Sequence, residues 1–311
     1  MISLRSGLKK IGELKPGVPI PPIPSGFHSF PKSLKSAIYA MNPPLIQSWK
    51  NIKTDEHDNE AWTEECQGIV SDGNHWYVVS NNEDVRAIYK FTLNFQSISS
   101  VGFPEDRHIG APGLHDGKIF VPVEGGKAGV WELDTNLSQL GIFTLGGSSS
   151  PQGGSMPWCA INAWNGLLYS SIFGNNDPDE DDFGNVDKVH AYDPNNNFIH
   201  LKDLKLRGQI LHRVQGGCIS KNGHLYLACD TVKHEKGHVY AYSMINGSFL
   251  GSLELVYDDD VGNGELESIS INHITHTDGQ STYAHVLVLD NDAFTDDVYF
   301  YHFAVPAASV M

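Results

Sequence analysis

Gln67-Gly68-Ile69-Val70-Ser71-Asp72-Gly73-Asn74-His75-Trp76-Tyr77-Val78-Val79-Ser80 holds two apolar runs joined by a turn that ends in glycine. The same plan returns in Gln215-Gly216-Gly217-Cys218-Ile219-Ser220-Lys221-Asn222-Gly223-His224-Leu225-Tyr226-Leu227-Ala228. Asp-Gly or Asn-Gly between two apolar runs is a hairpin signal, because the turn needs positive φ. Further copies of the turn are Asp116-Gly117, Asn165-Gly166 and Asp278-Gly279. The five glycines are 44, 49, 57 and 56 residues apart.

Each turn is followed by a hydrophobic strand and then, after a variable loop, by a strand built on an aromatic residue or His. These later strands are Ile88-Tyr89-Lys90-Phe91, Val130-Trp131-Glu132-Leu133, Val189-His190-Ala191-Tyr192, Val239-Tyr240-Ala241-Tyr242 and Val298-Tyr299-Phe300-Tyr301. Fourth strands are expected at 97–103, 139–144, 198–204 and 249–255. Self-similarity at this period in short strands predicts an all-β radial array, a single β-propeller of five blades.

The fifth blade runs out of chain after three strands. Leu45-Ile46-Gln47-Ser48-Trp49 is the expected fourth, closing the ring through an N-terminal strand and removing an exposed edge. Six blades is the alternative and needs most of a blade from the first 44 residues. Those residues carry eight prolines and no copy of the turn pattern. The expected division is a Pro-rich wrap or cap at 1–44, with a short helix at 33–41, and a propeller domain at 45–311.

The formal net charge of −16 opposes binding to nucleic acid or an anionic membrane, which need a basic footprint. No stretch is long and apolar enough to span a bilayer as a helix, and no signal-peptide pattern is read. Cys66, Cys159 and Cys218 fall at similar places in three repeats, which reads as reduced, buried thiols. The expectation is a cytoplasmic monomer acting on a small molecule.

The starts of the first strands and the ends of the second strands share one rim. The starts offer Glu65, Gln67, Asp106, His108, Trp158, Gln215, Glu265 and Glu267. The ends offer Asn81, Asn82, Glu124, Asn175, Asn176, Asp230, Asp290, Asn291 and Asp292. The other rim is made of tight turns, whose Asp and Asn are explained by turn geometry. Convergent carboxylates suit an acid–base pair or a hard cation such as calcium.

Glu267 and His108 are the candidate catalytic groups. Gln67, Trp158, Gln215 and Asn82 are the candidate substrate-binding residues, with Trp158 as an apolar wall. Glu124, Asp230 and Asp290 are the candidate metal ligands or polarising groups. The acidic run at 177–187 resembles a calcium loop in spacing but lacks the closing Glu, and together with Asp258-Asp259-Asp260 it reads as solvated. His234 and His238 read as surface residues.

The turn repeats, Gln67-Gly68, Gln215-Gly216 and Glu265-Leu266-Glu267-Ser268 resemble the β-propeller superfamily. Within it the chain is similar to the lactonase and gluconolactonase-like group and to strictosidine synthases, over about residues 60–305. The resemblance implies calcium held in the pore by Glu, Asn and Asp, and hydrolysis, so a calcium-dependent hydrolase or lyase is expected; with no dinucleotide fingerprint or phosphate loop in the chain, no organic cofactor is expected. It also implies six blades, and its usual Glu-Gly at the first blade is Gln67-Gly68 here. The leading expectation is therefore an enzyme acting on a small polar or cyclic molecule at the pore mouth. The alternatives are a carbohydrate- or protein-binding propeller and a five-bladed glycoside hydrolase, which needs a pair of carboxylates across the pore.

Overall fold

The computed structural model describes residues 46–146, 150–175, 184–231, 236–257, 261, 263–276, 279–291 and 296–305. The N-terminal wrap and its helix, the acidic run at 177–182, the run at 258–260, His234, Asn176 and Asp292 lie outside the described residues.

The strands fall into five four-stranded antiparallel sheets. The first strand, β1 (Lys50–His57), belongs to the last sheet. Blade 1 is β2 (Cys66–Ser71), β3 (His75–Ser80), β4 (Ala87–Thr92) and β5 (Ser97–Gly102). Blade 2 is β6 (Gly113–His115), β7 (Lys118–Val123), β8 (Gly129–Asp134) and β9 (Gln139–Thr144). Blade 3 is β10 (Ala160–Asn162), β11 (Leu167–Ser170), β12 (Lys188–Asp193) and β13 (Ile199–Lys205). Blade 4 is β14 (Val214–Ile219), β15 (His224–Cys229), β16 (Lys236–Ser243) and β17 (Phe249–Val256). Blade 5 is β18 (Gly264–Thr275), β19 (Ser281–Asp290) and β20 (Asp297–Ala304), with β1 outermost.

The innermost strands touch in a closed cycle, β2 to β6 to β10 to β14 to β18 and back to β2. The protein is a five-bladed β-propeller, and the six-bladed alternative falls. All five turn glycines have φ between +69° and +91°, a conformation that a side chain disfavours.

A blade cannot bury its own faces. The buried apolar side chains form five clusters, one in each gap between neighbouring blades. Alternation along β3 sends Trp76 and Val78 into the gap with blade 5, and Tyr77 and Val79 into the gap with blade 2. Second strands are therefore covered on both faces and read as continuous apolar runs, whereas the outer β5 is mostly exposed.

Closure differs in register from the sequence expectation. Residues Ile46–Ser48 form a 3₁₀ turn, and the closing strand is β1, five residues further on. It pairs antiparallel with β20 from Lys50 opposite Ala304 to His57 opposite Val298. An outermost strand buries little, so Lys-Asn-Ile-Lys-Thr-Asp-Glu-His carries no apolar alternation to be read. Ile46 and Trp49 look like strand residues because they are buried, but they plug the gap between blades 4 and 5.

A buried polar chain fastens β1. His285 Nε2 lies 3.0 Å from the Asn272 carbonyl, His285 Nδ1 lies 2.7 Å from His302 Nδ1, and His302 Nε2 lies 3.2 Å from Asp55. The carbonyl only accepts, so a neutral His285 donates there and accepts from His302. His302 thus bridges the buried His285 ring to the Asp55 carboxylate on β1. Burial holds the His285 imidazole well below its usual range, in keeping with a neutral ring.

Candidate functional site

Gln67, Gln215 and Glu267 occupy the same structural position in three blades, and each is the extra residue of a β-bulge. Cys66 pairs with Ser80 and Gly68 with Val79, so Gln67 has no partner. Likewise Val214 and Gly216 pair with Cys229 and Ala228, leaving Gln215. Leu266 and Ser268 pair with Val288 and Leu287, leaving Glu267. A bulge breaks the two-residue alternation and re-aims a side chain. Here it turns three polar side chains into the pore from strands whose neighbours pack between blades.

The residue after each glutamine is glycine because backbones meet there. A Cβ on Gly68 would sit 2.7 Å from Ala111 Cα, and one on Gly216 would sit 2.6 Å from Glu267 O and Ser268 Cα.

The three bulges line a cavity of about 980 Å³. Blade 1 contributes Glu65 and Gln67, blade 2 His108 and Glu124, blade 4 Gln215, and blade 5 Glu265 and Glu267. The connections into and out of blade 3 add Gln152, Ser155 and Arg213, and the loop between β11 and β12 adds Phe173. A smaller neighbouring cavity of about 600 Å³ shares His108 and Glu124 and extends to Asp106, Arg107 and Lys127.

Glu267 is 1 % exposed, and its Oε1 accepts from Gln215 Nε2 at 3.1 Å. Burial, followed by the nearby Glu265, Asp230 and Glu65, holds its carboxyl well above the usual carboxylate range. Glu65 is also raised, by burial and then by Asp296 and Glu265. The cavity thus holds two carboxyls, Glu65 and Glu267, that burial pushes towards the protonated form.

On the opposite wall His108 Nδ1 lies 3.1 Å from Glu124 Oε2. The other Glu124 oxygen accepts from Met156 N at 2.5 Å and Ser155 Oγ at 3.3 Å, which fixes the carboxylate to the blade 2–3 connection. Among the described residues, Arg213 is the one Lys or Arg lining the larger cavity. Its guanidinium contacts Asp230 Oδ2 at 3.2 Å and lies 5.3 Å from the centre of the Phe173 ring.

The structure therefore brings together Glu267, His108, Gln67, Gln215 and Glu124. Trp158 is wholly buried among blades 3 and 4, where its Nε1 donates to Ser171 Oγ at 2.9 Å and its ring packs on Gly217. It supports the pore strands and does not line the cavity. Asn82 sits in the loop after β3, with its Oδ1 accepting from Asp84 N at 2.8 Å, also outside the lining.

Asp230 and Asp290 are buried at the ends of β15 and β19. Asp230 is held by Arg213, and Asp290 accepts from Asn263 N at 2.8 Å. Glu124, Asp230 and Asp290 each meet a different protein donor, Met156 N, Arg213 and Asn263 N. Arg213, Phe173, Ser155 and Gln152 are cavity residues that sequence reasoning missed. They lie on connections, where the repeat gives no register, and Arg213 has a φ of +50° that no local pattern announces.

No family model matches the chain, and no curated protein matches it. Solved structures share the fold. A Myxococcus xanthus glutaminyl cyclase superposes with a TM-score of 0.55 at 12% identity, covering 83% of this chain and 96% of that one. A streptogramin B lyase gives 0.47 at 11% identity, covering 80% and 97%. The Malassezia sympodialis allergen Mala s 1 gives 0.46 at 11% identity, covering 77% and 78%.

Proposed function

We propose that the chain is an enzyme that moves protons on a small polar molecule held in the pore-mouth cavity. Glu267 is the acid and His108, backed by Glu124, the base. One observation carries this reading: Glu267 is a buried carboxyl, pushed towards its protonated form by burial, on a bulge that aims it into a cavity. Such a group donates a proton at neutral pH, which an ordinary exposed glutamate does poorly.

The neutral amides of Gln67 and Gln215 orient polar groups of the substrate. Arg213 gives an anionic or carbonyl group a partner, and Phe173 gives an apolar face. A cavity of this size holds a molecule on the scale of a short peptide or a sugar. Proton donation to a leaving group, paired with proton removal on the opposite wall, is chemistry of the hydrolase and lyase type. Calcium has no assigned part in it.

The test is a panel of cyclic esters, peptides with N-terminal glutamine and small glycosides, assayed with wild type and Glu267→Gln. The glutamine peptide belongs in the panel because a glutaminyl cyclase shares the fold. The expected result is turnover of one class, reduced at least about a hundredfold in the variant with the melting temperature kept. Saturable binding without turnover would favour a binding propeller, and undiminished turnover in Glu267→Gln would remove the acid from Glu267.

A further inference from the structure

On the outer half of blade 3, far along the sheet from the pore strands, His190, His200 and Asp203 meet. His190 Nδ1 and His200 Nε2 each lie 2.8 Å from Asp203 Oδ1. One ligand atom from each of the three falls within 4.8 Å of the others. We propose that these three residues form a binding site for a late first-row divalent cation of the zinc class, which staples the exposed outer strand β13 to β12.

The geometry rests on a second kind of bulge. His190 on β12 stands directly opposite Asp203 on β13. By simple alternation His200 and Asp203, three residues apart, face opposite sides of the sheet. The register shifts here: Ala191 pairs with Lys202 and Tyr192 with His200, so Leu201 is extra. That insertion brings His200 onto the face of Asp203. The two imidazole rings stand 5.7 Å apart at 68°, both directed at the same carboxylate.

Two imidazoles and one carboxylate make a nitrogen-rich, three-ligand set. Zinc takes three protein ligands and a water, at about 2.0–2.2 Å from nitrogen and oxygen. Calcium prefers six to eight oxygens, so this site discriminates against it. His190 is 2 % exposed, so packing holds its ring in place beside Asp203. His200 and Asp203 are more open, which gives the ion a path from solvent. Lys188 Nζ stands 4.0 Å from the other Asp203 oxygen on a half-exposed side chain, so it can turn away when a cation arrives.

The experiment uses the full chain, stripped with chelator, and titrates it with Zn²⁺ by calorimetry. The wild type should bind Zn²⁺ at this site, and His200→Ala and Asp203→Asn should each weaken that event at least about tenfold. Zinc should raise the melting temperature of the wild type and leave that of both variants unmoved, whereas Ca²⁺ should do neither through this site. His190 is left intact because its side chain is packed. Should a variant fold poorly, X-ray absorption of the zinc-loaded wild type decides, with two imidazoles in the first shell expected. Wild-type affinity in both variants, no zinc binding by the wild type, or a first shell without imidazole would overturn the proposal.

Discussion

Glu267 shows how one residue can be both legible and hidden. Its place at the start of a first strand could be read from the repeat, and so could those of Gln67 and Gln215. That each is a bulge residue could not, since the bulge depends on which partners the second strand offers. Sign and pH window follow from the raised pKa. A carboxyl that holds its proton more tightly when folded adds stability below the ordinary carboxylate range. That stability is lost as pH rises from the unfolded value through the raised one. Wild type should therefore lose stability on the alkaline side more steeply than Glu267→Gln, as measured by urea unfolding across pH. Parallel curves would mean that the carboxyl is ionised without penalty. The neighbouring Gly216 gives a second prediction. Gly216→Ala puts a methyl group against Glu267 O and Ser268 Cα, and it should cost about 1–3 kcal/mol in the same assay.

Among the elements, ring closure makes the sharpest claim. β1 covers the edge of β20, and Asp55 on β1 meets the buried His302. Asp55→Ala leaves the buried His302 Nε2 without its Asp55 partner and should cost about 1–3 kcal/mol, read from denaturant unfolding. Removing residues 1–57 should expose the β20 edge and give aggregation or unfolding, checked by light scattering and circular dichroism. A truncated chain that stays monomeric with unchanged stability would contradict closure by β1. The blades themselves were legible, because Asp-Gly and Asn-Gly turns and doubly covered second strands leave strong local signals. The closing strand was displaced from 45–49 to 50–57 because burial, which the eye reads as strand, belongs there to the plugs Ile46 and Trp49. Arg213 and Phe173 were illegible for a related reason. The connection that carries Arg213 and the β11–β12 loop that carries Phe173 obey no period, so these residues reach the cavity by tertiary placement alone.

For the whole molecule, the propeller converts five unequal repeats into one asymmetric cavity. Three bulges, two connections and a His–Glu pair supply different chemistry from different blades, which five equal repeats would not do. The net charge of −16 adds a field that further favours protonated carboxyls inside the pore. The most direct test of this arrangement is infrared difference spectroscopy of wild type against Glu267→Gln at neutral pH, reading the carbonyl stretch of a protonated carboxylic acid. The expected result is a protonated-carboxyl band in the wild type that disappears in the variant and titrates away only above the ordinary carboxylate range. A wild type with no such band, or one whose band survives in Glu267→Gln, would contradict a proton-holding acid at the centre of the pore.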